Sequence, residues 1–183
     1  DAPPSPGKHP IVLLSHGMGG SYLSLNWLAS GLVAKGAIVI SVNHPNGWFR
    51  DRQLDKMFDH WTRVQDLQVA LDMVLADSAF SATVDPDRIY ATGFSFGGWT
   101  ALSIGGVTAD PLGSMAYCEA AGPRSHNCTD LKFHGVDPAK LDPARWSASY
   151  KDVRIKAVVS LDPGLTWKLD KDDVRDIDQS NLM

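Results

Sequence analysis

The sequence is poor in basic residues, in long hydrophobic runs and in cysteine, and each shortage argues against a class of protein. Lys and Arg number 17 against 21 Asp and Glu, a formal net charge of −4. The basic surplus that nucleic acids attract is therefore missing, and no nucleic-acid partner is predicted. The longest apolar runs, such as 10–15 and 37–42, fall far short of the roughly 20 residues that span a bilayer, so no membrane span is predicted.

The two cysteines, Cys118 and Cys128, lie in a segment rich in Gly, Pro and polar residues. A disulfide there could staple a loop and would favour a periplasmic or secreted protein. Two free thiols are an equal alternative, so the compartment stays open. Because the second close pair of Cys or His that a zinc site needs is absent, no metal is predicted. No other cofactor is predicted either.

Short apolar runs alternate with helical patterns along most of the chain. Four runs rich in Val, Ile and Leu predict strands buried on both faces, over residues 11–15, 37–42, 88–92 and 155–161. Apolar spacing predicts helices over 24–35 and 61–75, the first ended by Gly36 and the second followed by a turn at 85–87. This alternation predicts an α/β fold with a mostly parallel sheet and helices on both faces.

The alternation breaks over residues 105–152, which are rich in Gly, Pro and Asp. Such a segment predicts an insertion that lies above the sheet like a lid. We therefore expect residues 1–183 to form one domain that contains this insertion.

A serine stands where the third predicted strand meets a helix. Residues 93–98 read Gly-Phe-Ser-Phe-Gly-Gly and directly follow the strand over 88–92. This is the nucleophile-elbow arrangement, whose tight turn needs glycine two residues on either side because side chains there would collide with neighbouring backbone. The pattern predicts Ser95 as a nucleophile. The alternative is a Gly-rich turn with an idle serine.

A glycine-rich loop, His16-Gly17-Met18-Gly19-Gly20, follows the first predicted strand at the same edge of the sheet. Acyl transfer needs two backbone N–H groups that face the oxygen becoming negative, and the amides of Met18 and Phe96 are the candidates. His16 could be mistaken for a catalytic base. A structural role is favoured, because the base of such hydrolases comes last in chain order.

The segment after the second predicted strand carries His44 and Trp48. Together with Gly17, they are predicted to bind substrate, with Trp48 offering apolar area; an ordinary loop is the alternative. On the following helix, Arg63 and Asp66 are spaced to pair with each other and are predicted to lock that helix rather than touch substrate.

Asp162 ends the fourth predicted strand. Its carboxylate could orient a histidine and stabilise the charged imidazole, as the acid of a triad must; alternatively it only starts an Asp-Pro-Gly turn. The histidine should follow this acid in chain order, yet none does. The histidines of the insertion are His126 and His134, and those before Ser95 include His9, His44 and His60.

The missing base predicts an incomplete domain. We expect a C-terminal segment or a second chain of the same protein to supply the histidine. A truly truncated protein is the alternative.

These motifs together resemble the plasma-type platelet-activating-factor acetylhydrolases and their bacterial relatives, which are often described as predicted dienelactone hydrolases. The likeness covers most of residues 10–104 and 153–166. It implies an α/β-hydrolase fold, a Ser95 nucleophile, an Asp162 acid and an oxyanion site at the Met18 and Phe96 amides. The chain departs from the family by lacking its later histidine.

The resemblance also bears on the substrate, because relatives named for dienelactone hydrolysis often have cysteine at the elbow. Serine at position 95 favours simple carboxylic esters instead. The prediction is a serine esterase acting on a small-molecule ester without a cofactor. The alternative is a catalytically silent module of the same fold that binds a ligand or a protein.

Overall fold

A computed structural model describes residues 5–48, 53, 56, 58–133, 135 and 142–177. Within these residues four strands form one sheet, β1 (His9–Ser15), β2 (Ile38–Ser41), β3 (Val84–Phe94) and β4 (Ala157–Leu161). Their order is β2-β1-β3-β4, and each neighbouring pair is parallel. The predicted α/β class with a parallel sheet is confirmed.

Helices connect these strands and fill the segment between β3 and β4. The described helices are α1 (Asn26–Ala34), α2 (His60–Ala76), α3 (Ser78–Ser81), α4 (Phe96–Gly105), α5 (Pro111–Ala121), α6 (His126–Phe133) and α7 (Pro143–Trp146), with a 3₁₀ turn over Gly122–Arg124. The helices predicted from apolar spacing are α1 and α2, which differ from the predicted bounds by one or two residues.

The strand order determines which face of the sheet each helix covers. The chain steps from β1 outward to β2, then crosses back over β1 to β3 and continues to β4. Because parallel crossovers are right-handed, a reversal of direction puts α1 on one face and both α2 and α4 on the other. The side chains of Arg63 on α2 and Thr100 on α4 do contact each other, Nε to Oγ1, at 3.1 Å.

The main core lies between the sheet and α2. Val64, Leu67 and Leu71 of that helix are completely buried and belong to one apolar cluster with Ile11 and Leu13 of β1. Burying side chains of this size contributes about 2–3 kcal/mol each. The helical stripe read from the sequence therefore anchors α2 to the sheet.

Two sequence predictions about the strands are wrong. The turn expected at 85–87 lies inside β3, where pairing with β1 is irregular; turn chemistry survives there, because the Asp87 N–H donates to the Asp85 carboxylate. Burial on both faces fails for β2 and β4. Both are edge strands of the described sheet, and Val159 of β4 is 42% exposed.

The segment predicted as an insertion is helical over most of its described length. A disulfide between Cys118 and Cys128 joins α5 to α6. Trp146 of α7 is buried in a second apolar cluster with Trp61 and Trp99. The segment thus packs on the ends of α2 and α4, and its role as a lid stays a prediction.

Candidate active site

The candidate site lies where β1 and β3 end side by side. These strands are neighbours in the sheet, but the helices that follow them lie on opposite faces. In open α/β sheets, ligands bind in the crevice outside the carboxyl ends of such a strand pair. The topology therefore brings the loop after Ser15 and the elbow after Phe94 to one crevice.

The elbow is as tight as the motif predicts. Ser95 has φ 55° and ψ −120°, a conformation that L residues rarely adopt and that costs about 1–3 kcal/mol. A Cβ at Gly93 would lie 2.3 Å from the Gly97 carbonyl oxygen, and one at Gly97 would lie 2.0 Å from the Ser15 oxygen. The predicted reason for glycine at both positions, collision with backbone, is confirmed.

Hydrogen bonds hold the peptide between Ser95 and Phe96 in one orientation. The Ser95 carbonyl accepts from the Trp99 N–H at 3.1 Å and from the Gly164 N–H at 3.2 Å. The Phe96 N–H points the opposite way and opens α4, where helical amides have no acceptor within the helix and carry partial positive charge. No described residue accepts a hydrogen bond from it.

The peptide between Gly17 and Met18 is held in the same manner. The Gly17 carbonyl accepts from His16 Nδ1 at 2.7 Å and from the Gly20 N–H at 3.2 Å. A Cβ at Gly17 would lie 3.4 Å from Ser95 Cβ, so this loop lies directly against the elbow. Oxyanion stabilisation needs donors that are fixed in advance beside the nucleophile, and these two peptides are fixed beside a serine. The roles of Met18, Phe96 and Gly17 stay predictions.

His16 has the structural position that the sequence favoured. Its ring is buried, Nδ1 donates to the Gly17 carbonyl, and Nε2 accepts from the His44 N–H at 3.4 Å. Burial lowers the pKa of His16 to about 4, so the ring is neutral near pH 7. Both nitrogens are occupied within the loop.

His44, which the sequence predicted to bind substrate, is buried in this structure, and its binding role stays a prediction. The residue is 0% exposed, and its ring points into the interior. Its Nε2 lies 2.9 Å from Ser15 Oγ and its Nδ1 lies 2.9 Å from Asp66 Oδ2. A position after a strand suggested the pocket, but the side chain turns underneath the loop rather than over it.

Ser15, His44 and Asp66 have the connectivity of a catalytic triad without its accessibility. Ser15 is 0% exposed inside β1, and its hydroxyl also accepts from Arg63 Nη2 at 3.2 Å. Burial lowers the pKa of His44 well below its usual range and raises the pKa of Asp66 to about 6. A neutral His44 that donates to Asp66 satisfies this geometry. The three residues therefore form a hydrogen-bond network in the interior.

Asp162 follows directly on the residue that contacts the elbow. The Ser95 N–H donates to the Leu161 carbonyl at 2.9 Å. Asp162 itself is exposed, with φ 46°. Its carboxylate has no hydrogen-bond partner among the described residues, and its catalytic role stays a prediction.

Two aromatic residues lie near the glycine-rich loop, Trp48 and Phe94. Trp48 is half-buried and pairs with Gly19 of the loop through an isolated bridge, next to a bond from the Gly19 N–H to the Gly47 carbonyl at 2.8 Å. Phe94 is 44% exposed beside Gly17. Sequence reasoning did not single out Phe94, although its place directly before the elbow serine is the signal that could have drawn attention to it.

None of the histidines with described side chains hydrogen-bonds the Ser95 hydroxyl. His9 lies at the start of β1, on the opposite edge of the sheet, and bonds the Gly36 carbonyl. His60 is buried among aromatic rings, where Nε2 bonds the Trp146 carbonyl at 3.2 Å. The side chain of His126 and the whole of His134 lie outside the described residues.

Two further features concern the described residues only. They contain no cluster of three or more side chains that could hold a metal ion. None of their helices is long and apolar enough to cross a membrane.

A parallel sheet in this order, with a strained serine between the strand and helix at its centre, defines the α/β-hydrolase fold. Among solved structures, the chain is similar to a ferulic acid esterase from Streptomyces cinnamoneus, with 28% identity, a TM-score of 0.47, and coverage of 54% of this chain and 33% of that one. It is also similar to an esterase from Pyrobaculum calidifontis, with 24% identity, a TM-score of 0.36, and coverage of 64% and 34%.

The chain thus spans about a third of the length of each of these structures. No protein-family model matches it. No curated protein matches it either.

Proposed function

We propose that the protein is a serine hydrolase that cleaves small carboxylic esters through an acyl-enzyme on Ser95. The observation that carries the proposal is the pair of fixed peptides beside a strained serine. Each peptide has its carbonyl held by two hydrogen bonds, which leaves the Met18 and Phe96 N–H groups available at the crevice. Donors that need no reorganisation are the largest single contribution to catalysis in many acyl-transfer enzymes.

In the proposed mechanism, Ser95 Oγ attacks the ester carbonyl carbon while a histidine takes the serine proton. The oxygen of the tetrahedral intermediate accepts hydrogen bonds from Met18 and Phe96. Collapse expels the alcohol, which receives that proton, and water then hydrolyses the acyl-enzyme by the same route. Asp162 orients the histidine and stabilises its charged form.

The histidine comes from a C-terminal segment or a second chain of the same protein. Supporting this, the described histidines either lie far from Ser95 or have their ring nitrogens turned to other partners. The exposed carboxylate of Asp162, one residue beyond the strand that contacts the elbow, is available to such a histidine. The proposed subfamily is the acetylhydrolase-like one, in which the acid follows the strand after the nucleophile.

Phe94 and Trp48 form the apolar border of the proposed pocket, and they favour an apolar acyl or alkoxy group. The disulfide between Cys118 and Cys128 supports a protein that matures in an oxidising compartment, the periplasm or outside the cell. We also propose that residues 105–152 form a lid over the substrate.

The rival function is a silent binding module of the same fold. The observation in its favour is that, among histidines with described side chains, none hydrogen-bonds Ser95.

A fluorophosphonate probe separates the two functions in the full-length protein. We expect stoichiometric labelling that Ser95→Ala abolishes, and labelling slowed by about 10²-fold or more in Asp162→Asn. Ser78→Ala, at an exposed serine of α3, is the matched control and should label like the wild type. An unreactive Ser95 in the folded full-length protein would support the binding module.

A further inference from the structure

Arg63 carries a charge into the interior beneath the candidate active site. The residue lies on α2 and is only 2% exposed. Removing a guanidinium from water costs several kcal/mol unless its hydrogen bonds are replaced. Burial lowers the pKa of Arg63 to about 9, which leaves it charged near neutral pH. The contacts that compensate this cost show what the charge supports.

The first set of contacts reaches the loop after β1. Arg63 Nη2 donates to the His16 carbonyl in a short hydrogen bond and to Ser15 Oγ at 3.2 Å. The His16 carbonyl immediately precedes Gly17 and Met18. One terminal nitrogen of the guanidinium thus holds the base of the loop that presents the Met18 amide.

The second set reaches the elbow helix. Arg63 Nε donates to Thr100 Oγ1 at 3.1 Å, and that hydroxyl donates in turn to the Phe96 carbonyl at 2.9 Å. The guanidinium carbon also lies 4.8 Å from the centre of the Phe96 ring. A planar, rigid group therefore joins the two chain segments that supply the Met18 and Phe96 amides.

Two side chains connect Arg63 to the negatively charged carboxylate of Asp66. Ser15 Oγ accepts a hydrogen bond from Arg63 and donates one to Nε2 of His44. The other ring nitrogen of His44, Nδ1, donates to the Asp66 carboxylate at 2.9 Å. Arg63 Nη1 has no hydrogen-bond partner among the described residues. This nitrogen lies beside Gly47, where a hypothetical Cβ would be 3.0 Å from it, whereas Nη2 and Nε face the loop and the elbow helix.

We propose that Arg63 is a positioning residue of this site: its guanidinium sets the spacing between the Met18 and Phe96 amides and places positive charge behind the oxyanion they bind. The inference rests on the proposed esterase function for its kinetic consequence. A group that acts on the oxyanion stabilises the transition state more than the bound ester, so its loss lowers kcat more than it changes KM.

The kinetic test uses Arg63→Lys in the full-length protein. Lysine keeps the positive charge but lacks the planar guanidinium that contacts both segments at once. With p-nitrophenyl acetate we expect kcat to fall about 10- to 100-fold while KM changes less than about 3-fold. Thr100→Val, which removes only the branch towards Phe96, should give a smaller loss in the same direction. Arg88→Lys, on an exposed ion pair with Asp85, is the matched control and should behave like the wild type.

A second readout does not depend on catalysis. The Gly20 and Trp99 N–H groups hold the two peptide carbonyls, and we expect their hydrogen exchange to accelerate about 10-fold or more in Arg63→Lys. The exchange of the buried β1 amides should stay unchanged. If Arg63→Lys fails to fold, Thr100→Val is measured in its place, with acceleration expected at Trp99.

The outcomes separate the two proposals. A wild-type protein that neither hydrolyses the ester nor labels at Ser95 overturns the proposed function, and the exchange rates then decide the role of Arg63 alone. Wild-type kcat in the folded variants, with unchanged exchange at Gly20 and Trp99, overturns the positioning role and leaves Arg63 as a stabilising residue of the core.

Discussion

At Gly93 and Gly97 the backbone of one segment touches the backbone of another, with no space for a methyl group. The Gly97 position is the more severe, because a Cβ there would meet the Ser15 and His16 carbonyls at 2.0 and 2.7 Å. Neither carbonyl can move freely, since Ser15 ends β1 and the His16 carbonyl accepts from Arg63. The elbow and the start of the glycine-rich loop over 16–20 are therefore in direct backbone contact.

Replacing this glycine should be far more costly than replacing one in open space. We expect Gly97→Ala to lower the free energy of unfolding by more than about 3 kcal/mol or to prevent folding, because two backbone segments must separate. Gly31→Ala is the matched control: it lies in α1 with no atom within 4 Å of its hypothetical Cβ. It should raise stability by roughly 0.5–1 kcal/mol. Equal effects in urea unfolding would contradict the backbone contact.

The roles of individual residues differ in how far the motif alone predicts them. Ser95 and its glycines follow from local spacing, because the turn itself demands them. His44 does not, because its direction depends on Asp66, a residue 22 positions later that comes from another element. The same holds for Arg63, whose partners Ser15, His16 and Thr100 are distant in sequence.

At the scale of elements, α1 and α2 show what apolar spacing can and cannot predict. Both stripes were visible in the sequence, and both helices form. Only α2 is deeply buried, with six buried residues in its 17, whereas α1 has none. The difference comes from sheet order, since α2 crosses the central strands and α1 lies next to the edge strand β2.

A disulfide constrains the helical segment between β3 and β4. It joins α5 and α6 across a sequence separation of 10, and the chain-entropy model assigns about 3 kcal/mol to a loop of this size. We expect the free energy of unfolding of the Cys118→Ser/Cys128→Ser protein to be about 3 kcal/mol lower than that of the wild type. A reductant should destabilise the wild type and leave the double variant unchanged. Trypsin cleavage after the exposed Arg124 should become faster in the double variant and in the reduced wild type. Two thiols that react with a thiol reagent in the unreduced protein would contradict the bond.

At the scale of the whole molecule, buried histidines couple stability to pH. Burial lowers the pKa of both His16 and His60 to about 4, below the ordinary value of about 6.5. The unfolded chain therefore binds protons first as the pH falls. The stability from each ring is complete above pH ~6.5 and is lost progressively down to about pH 4, by about 3 kcal/mol per ring. Asp66 partly offsets this loss of stability as the pH falls, because burial raises its pKa to about 6 and the folded chain therefore binds that proton first.

His60 offers the cleanest test, because it lies among Trp61, Trp99 and Trp146 and, among the described residues, makes no hydrogen bond to the glycine-rich loop over 16–20. We expect the loss of unfolding free energy between pH 7 and pH 4.5 to be about 2 kcal/mol smaller in His60→Phe than in the wild type. Urea unfolding at both pH values measures it. An identical pH dependence in the two proteins would mean that folding does not lower the pKa of His60.

The sequence by itself determined the strand and helix alternation, the elbow serine with its glycines, and the glycine-rich loop. These depend on local spacing, on backbone sterics and on the period of apolar residues, all of which act within a few positions. The parallel sheet followed from that alternation. Only the tertiary structure decided the strand order, the exposed edges, the burial of His44 and the position of Arg63 beneath the loop. Those features depend on which distant segments meet, because hydrogen-bond partners and burial are properties of the packed chain.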